Sequence, residues 1–156
     1  MRRSSSLRIR ILGAPLQLIE QTLQHYEAVE RELQLIGLSR DTPLSNPAAR
    51  LLALAAAVRY EYGRSSFPPA GEIASAHDRG ADVLDLEFEV RPSARAPTLQ
   101  LLVAFDEADE WCRNGELLTL ETPPDCRAMR TWYLSEVVRQ LDGLPPTKWP
   151  GPLRDE

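Results

Sequence analysis

The residues best equipped for chemistry in this chain are few: two histidines, His25 and His77, two cysteines, Cys112 and Cys126, and the acidic run Asp106, Glu107, Asp109 and Glu110. Carboxylates at helical spacing could hold a hard cation. A metal site, however, usually draws ligands from separate elements or from a loop of fixed geometry, and the EF-hand pattern is absent. The acidic run therefore reads as a solvated helix face, which could also offer charge to a basic partner. His77 precedes Asp78, but neighbouring helical side chains diverge and make no dyad. The sequence has no GxGxxG, no GxxxxGK[ST] and no HExxH, so the commonest nucleotide and zinc signatures are missing. The cysteines lack CxxC spacing and read as small buried hydrophobes, with a disulfide between them as the alternative. No catalytic, cofactor-binding or metal-binding residue is assigned, and a non-enzyme is favoured over an enzyme.

The second constellation is aromatic. Trp132 lies at the margin of an apolar helical stripe through Met129, Tyr133 and Val137, which turns it towards Glu136 and Arg139. An aromatic ring beside a carboxylate and a guanidinium has the composition of an interface anchor. The competing reading packs Trp132 beneath the Pro-rich tail, with Trp149 folded back on the same region. The tail Leu144-Pro145-Pro146-Thr147-Lys148-Trp149-Pro150 lacks a PxxP with a basic flank. It therefore reads as an extended arm over its own domain more than as a polyproline ligand.

The elements that must position these groups follow from periodicity. Leu7 to Leu12 alternates apolar residues with Arg8 and Arg10, which marks a half-buried strand. Val83 to Val90 alternates strictly, with Leu84, Leu86, Phe88 and Val90 on one face and Asp85, Glu87 and Glu89 on the other. Pairing these two strands sets arginines opposite carboxylates, so they are expected to be neighbours. Their polar face (Arg8, Arg10, Glu87, Glu89) is a second candidate interaction surface. Leu117 to Leu120 is expected to form a third, short strand.

Helical spacing predicts a long amphipathic helix from Pro15 to Gly37, whose heptad-like stripe also allows a helix–helix seam. Further helices are expected from Asn46-Pro47 to Tyr62, around Gly71 to Arg79, from a Thr98 cap to Cys112, and from Pro124 to Leu141. Gly63 to Pro69 reads as a mobile loop. The expected fold class is α+β, with a small, about three-stranded sheet and four to five helices packed mainly on one face.

At 156 residues the chain suits one domain, 1–156, with residues 1–6 as a disordered tail and 144–156 as the extended arm. A net charge of −5 disfavours nucleic acid as a partner, because phosphate recognition needs a basic face. The longest apolar run, Leu51 to Val58, is too short to span a bilayer, and Arg8 and Arg10 interrupt any signal-peptide core. A cytoplasmic protein is expected.

Several segments together carry a family resemblance: Asp106 to Cys112, Glu116 to Leu120, Arg130-Thr131-Trp132-Tyr133-Leu134-Ser135-Glu136 with Arg139-Gln140, and Pro145-Pro146-Thr147-Lys148-Trp149. With the opening Leu12-Gly13-Ala14-Pro15 and the strand Leu84 to Val90, they resemble an uncharacterised family of small bacterial proteins. Genes of that family lie beside those for anti-sigma-factor kinase-like ATPases, STAS-domain antagonists and PP2C-type phosphatases. The resemblance implies an accessory role in a partner-switching module, with a signalling kinase, antagonist or phosphatase as partner, and no enzymatic activity.

The leading expectation is a regulatory protein that binds another protein, through Trp132, Glu136, Arg139 and Trp149 or through the polar sheet face. Two alternatives stand beside it. One is a small-molecule sensor or uncharacterised enzyme, with a pocket between helices and sheet walled by Tyr26, Tyr62, Trp111 or Tyr133. The other is a structural homodimer through the first helix.

Overall fold

The structure is a computed structural model that describes residues 5–39, 47–61, 70–115 and 117–151. The first four residues of the expected tail, the Asn46 cap, the Gly63 to Pro69 loop with Tyr62, Glu116 and the arm beyond residue 151 lie outside the described residues.

Strand β1 (Leu7–Pro15) pairs antiparallel with β2 (Val83–Val90). Arg8 stands opposite Glu89 and Arg10 opposite Glu87, and Glu87 takes Arg8 at 3.2 Å and Arg10 at 3.8 Å. The alternation holds: Leu84, Leu86, Phe88 and Val90 are buried, as are Ile9 and Ile11. The ladder slips between Ile11 and Ala14, where Leu12 and Gly13 together oppose Asp85. Gly13 adopts φ +70° and donates its N–H to Asp85 Oδ1 at 2.7 Å. This extra residue is a β-bulge, and it returns the side-chain phase so that Ala14 is buried.

Among the described residues there are five helices: α1 (Leu16–Ser39), α2 (Pro47–Glu61), α3 (Ala70–Asp78), α4 (Arg95–Arg113) and α5 (Pro124–Leu141); α1, α3 and α5 pack on the strands. Helix α5 packs on α1, α4 and β1, while α2 packs on α4 and α1. The predicted stripes account for this. Ile19, Val29 and Leu33 of α1, Leu101, Ala104, Phe105 and Ala108 of α4, and Met129, Tyr133 and Val137 of α5 are all buried. Thr98, expected to cap α4, is instead inside the helix and fully buried. A 3-10 turn, Pro92–Ala94, leads straight into α4 and starts it earlier.

The sheet has two strands among the described residues, and the third strand expected at Leu117–Leu120 is not formed. That segment runs as bends because its main chain is held by side chains of α1 rather than by a neighbouring strand. On the far edge of β1 the C-terminal segment makes an isolated parallel bridge, Lys148 to Leu12, with Trp149 N donating to Leu12 O at 2.9 Å.

Candidate functional site

Between α1, α4, α5 and the sheet lies a partly open cleft of about 80 Å³. Helix α1 contributes Ile19, Leu23 and Tyr26, α3 contributes Ile73, β2 contributes Leu86, and α5 contributes Met129, Tyr133 and Leu134. Most of the wall is hydrocarbon and aromatic. Tyr26 meets Phe105 edge-on at 5.4 Å between centroids, and Tyr133 stacks on Phe88 at 6.1 Å. Of the four aromatic walls expected from sequence, Tyr26 and Tyr133 line the cleft, Trp111 is not among its lining residues, and Tyr62 lies outside the described residues.

The remaining wall is charged and buried. Asp109, of which only 3% is exposed, faces Arg130, which is 9% exposed; Arg130 Nη2 donates to Asp109 Oδ2 at 3.1 Å. Thr122 joins them: its N–H and hydroxyl both donate to Asp109 Oδ1, at 3.0 and 2.5 Å, and its oxygen accepts from Arg130 Nη1 at 3.1 Å. The guanidinium lies 4.9 Å from the Phe105 ring centroid and also reaches Asp106 at 3.2 Å. Burial pushes the Asp109 carboxyl up, but the Thr122 bonds and the Arg130 charge outweigh it and hold the group below its ordinary value. The acidic run is thus not a uniform solvated face: Asp109 points inward while Asp106 remains exposed. Arg130 Nε is buried and finds no hydrogen-bond partner among the described residues.

The segment from Leu117 to Thr122 runs along α1. Glu32 accepts from the Leu118 N–H, from the Thr119 N–H at 2.8 Å and from the Thr119 hydroxyl at 2.6 Å. Burial raises the Glu32 carboxyl, yet these three donors hold it below its ordinary value. His25 Nε2 lies 2.8 Å from Leu120 O, and its Nδ1 lies 3.4 Å from Thr122 Oγ1. Leu117 is buried, whereas Leu118 and Leu120 are 94% and 82% exposed.

Trp132, Glu136, Arg139 and Trp149 do come together, on the opposite flank of α5 from Arg130. Trp149 meets Trp132 edge-on at 5.2 Å. Glu136, 2% exposed, accepts from Thr147 N at 3.1 Å, Thr147 Oγ1 at 2.5 Å, Gln140 Nε2 at 3.1 Å and Arg139 Nη1 at 2.6 Å. Burial raises this carboxyl too, and the four bonds overcome it and keep it below its ordinary value. The cluster therefore clamps the C-terminal segment onto α5. Arg8, Arg10 and Glu87 lie on the exposed sheet face, each with about half or more of its side chain in water, and Glu89 is exposed beside them.

Both cysteines are free and buried. Burial, followed by the charge of Asp109, pushes the Cys112 thiol up to about 11, which makes it a poor nucleophile. Among the described residues no three His, Cys, Asp or Glu side chains group to hold a metal ion, and no helix is long and apolar enough to cross a membrane.

From sequence Asp109 enters only as one of the acidic run, and Thr122 and Arg130 are given no role, though a signal for the cluster is available. Asp109 sits four residues after Phe105 and three before Cys112, and Arg130 sits four after Cys126 and three before Tyr133. Both occupy core phase in otherwise apolar stripes, with opposite charges on adjacent helices. No family model matches the chain, and no curated protein and no solved structure is significantly similar to it.

Proposed function

We propose that the chain is a regulatory domain that senses a small, predominantly apolar molecule in the cleft between α1, α4, α5 and the sheet. The observation that carries this reading is the wall itself: aliphatic and aromatic side chains around a charge-compensated Asp109–Arg130–Thr122 group, the composition of a ligand site. A cavity that served packing alone would be expected to close, since each missing contact costs dispersion and transfer energy. The test is native mass spectrometry of the purified protein, followed by a thermal-shift screen of small apolar compounds. Ala108→Leu, which fills the cleft from α4, serves as the control. A ligand that stabilises the wild type and not the filled variant supports the reading. The absence of any hit distinguishing the two proteins counts against it.

A second reading is favoured by the near-complete exposure of Leu118 and Leu120. We propose, on this and on the family resemblance, that the chain is a non-enzymatic cytoplasmic accessory of a bacterial partner-switching module and touches its protein partner. Loss of partner capture in Leu118→Asp/Leu120→Asp, with folding intact, supports it. The polar sheet face and the Trp132–Trp149 flank are weaker candidates for that contact, since the second is occupied by the chain's own C-terminal segment. A homodimer through α1 draws less support, because Leu16, Ile19, Val29 and Leu33 are buried within the chain.

A further inference from the structure

Gln140 reveals which way the main chain of the sheet faces. Its side chain holds both the N–H and the C=O of Arg10, so Arg10 turns its main-chain groups away from β2. In an antiparallel ladder the residue opposite such a position does the same. Glu87 pairs with Arg10, and its main-chain groups therefore point to the outer edge of β2. Asp85 and Glu89 lie two residues to either side in the same strand and share that orientation. Among the described residues, β1 is the only strand beside β2, and none of them bonds to the outward main-chain groups of Asp85, Glu87 or Glu89. An unpaired row of donors and acceptors is a template for one more strand.

The side chains of the same three residues decide what can pair there. All three are exposed on the solvent face. Glu87 is met by Arg8 and Arg10 from β1, whereas Glu89 is in no ion pair among the described residues. A second copy of the chain, laying its own β2 antiparallel to this one, would bring these carboxylates directly opposite one another, which is destabilising. A strand with lysine or arginine at alternate positions meets a carboxylate at each step instead. Strand β1 already displays that pattern: Arg8 and Arg10 stand opposite Glu89 and Glu87, while Ile9 and Ile11 are buried on the other face.

We propose that the outer edge of β2 docks an extended basic segment of another protein. The segment adds antiparallel as a third strand, with lysines or arginines opposite Asp85, Glu87 and Glu89. Main-chain bonds to those three residues attach it, and the carboxylates select its sequence. Its intervening apolar residues fall on the same side of the sheet as Leu86 and Phe88. This surface is independent of the cleft and needs no ligand there.

The test uses full-length nitrogen-labelled protein and three capped heptapeptides. One alternates valine with lysine, one alternates valine with glutamate, and the third is the lysine peptide with its lysine amides N-methylated. Those amides are the ones that face β2 when the lysines lie opposite the carboxylates. The lysine peptide is expected to shift the Asp85, Glu87 and Glu89 amide resonances and to slow their hydrogen exchange. The glutamate and methylated peptides should each bind about tenfold or more weakly, and added salt should weaken the lysine peptide. Glu87→Gln/Glu89→Gln should lower affinity for the lysine peptide severalfold. Equal binding of the methylated peptide overturns the proposal, because attraction to the charged face then needs no added strand. Equal binding of the glutamate peptide overturns the basic partner. No shift with any peptide at about 1 mM, the weak end of specific affinity, overturns it as well. So does protection of these amides in a dimer of the protein alone, which makes a second copy the occupant. Should the double variant not fold, the order of the three peptides on the wild type decides alone.

Discussion

Glu136 and Thr147 are joined twice: the Thr147 N–H donates to Oε2 at 3.1 Å and the hydroxyl to Oε1 at 2.5 Å. One carboxylate on a helix thereby fixes eleven residues of chain direction beyond it, and Trp149 reaches Trp132 as a result. Glu136→Gln removes the charge from a nearly fully buried acceptor of four bonds. It is expected to lower unfolding free energy by about 1.5–3 kcal/mol and to shift tryptophan emission to longer wavelength as Trp149 leaves its partner. Urea titration followed by fluorescence measures both. A variant with unchanged emission would show that the C-terminal segment is held by Trp149 and not by Glu136.

Acid should loosen the protein in a defined direction. Glu32, Asp109 and Glu136 all titrate below their ordinary values of 4.5, 3.8 and 4.5. The unfolded chain therefore binds protons before the folded one does. The stability these groups confer is complete above the ordinary carboxylate range, falls as pH drops through it, and is lost below the folded-state values. Urea midpoints taken between pH 7 and pH 3 should decline, and the decline should be shallower in Asp109→Asn/Glu136→Gln.

The two carboxylates on Arg130 should behave very differently on removal. Asp109→Ala strands a buried guanidinium and is expected to cost about 3–5 kcal/mol. Asp106, more than half exposed, should cost less than about 1 kcal/mol on the same change. Equal losses would mean that the buried charge is compensated from elsewhere.

Glu32→Ala should free the Leu118 and Thr119 amides without disturbing α5. Hydrogen exchange at those two positions is expected to accelerate about tenfold or more, the equivalent of about 1.4 kcal/mol. Amides of Met129 to Val137 should keep their protection. A loss of protection in both places would make the segment part of the global unfolding unit.

What was legible in the sequence was whatever repeats. The period-two run Leu84–Val90 gave its strand and, through Arg8 and Arg10, its neighbour; the stripes gave the helices, with α5 starting at the expected Pro124. What was hidden depends on side chains reaching across the fold. Leu117–Leu120 looks like a strand because its apolar residues suit one, yet Glu32, far away in sequence, takes its amides. The Asp109–Arg130 pair was hidden for a related reason: Asp109 reads as one of a solvated acidic face, and its buried position shows only once its counter-charge is seen on the next helix. The cleft was foreseen only as a place where layers part, since its volume depends on how far each side chain reaches.

Gln140 has a consequence for the protein's behaviour in a crowded solution. Its side-chain amide accepts from Arg10 N–H at 2.8 Å and donates to Arg10 O at 2.7 Å, so a single residue imitates the peptide group of a missing neighbour strand. The Trp149 main-chain N–H takes Leu12 O at 2.9 Å. The outer edge of β1 is thus already occupied at two successive outward-facing positions, and another chain finds no row of open donors and acceptors there to extend. Gln140→Leu keeps the bulk and reopens the edge at Arg10; concentration-dependent self-association by light scattering is the expected outcome.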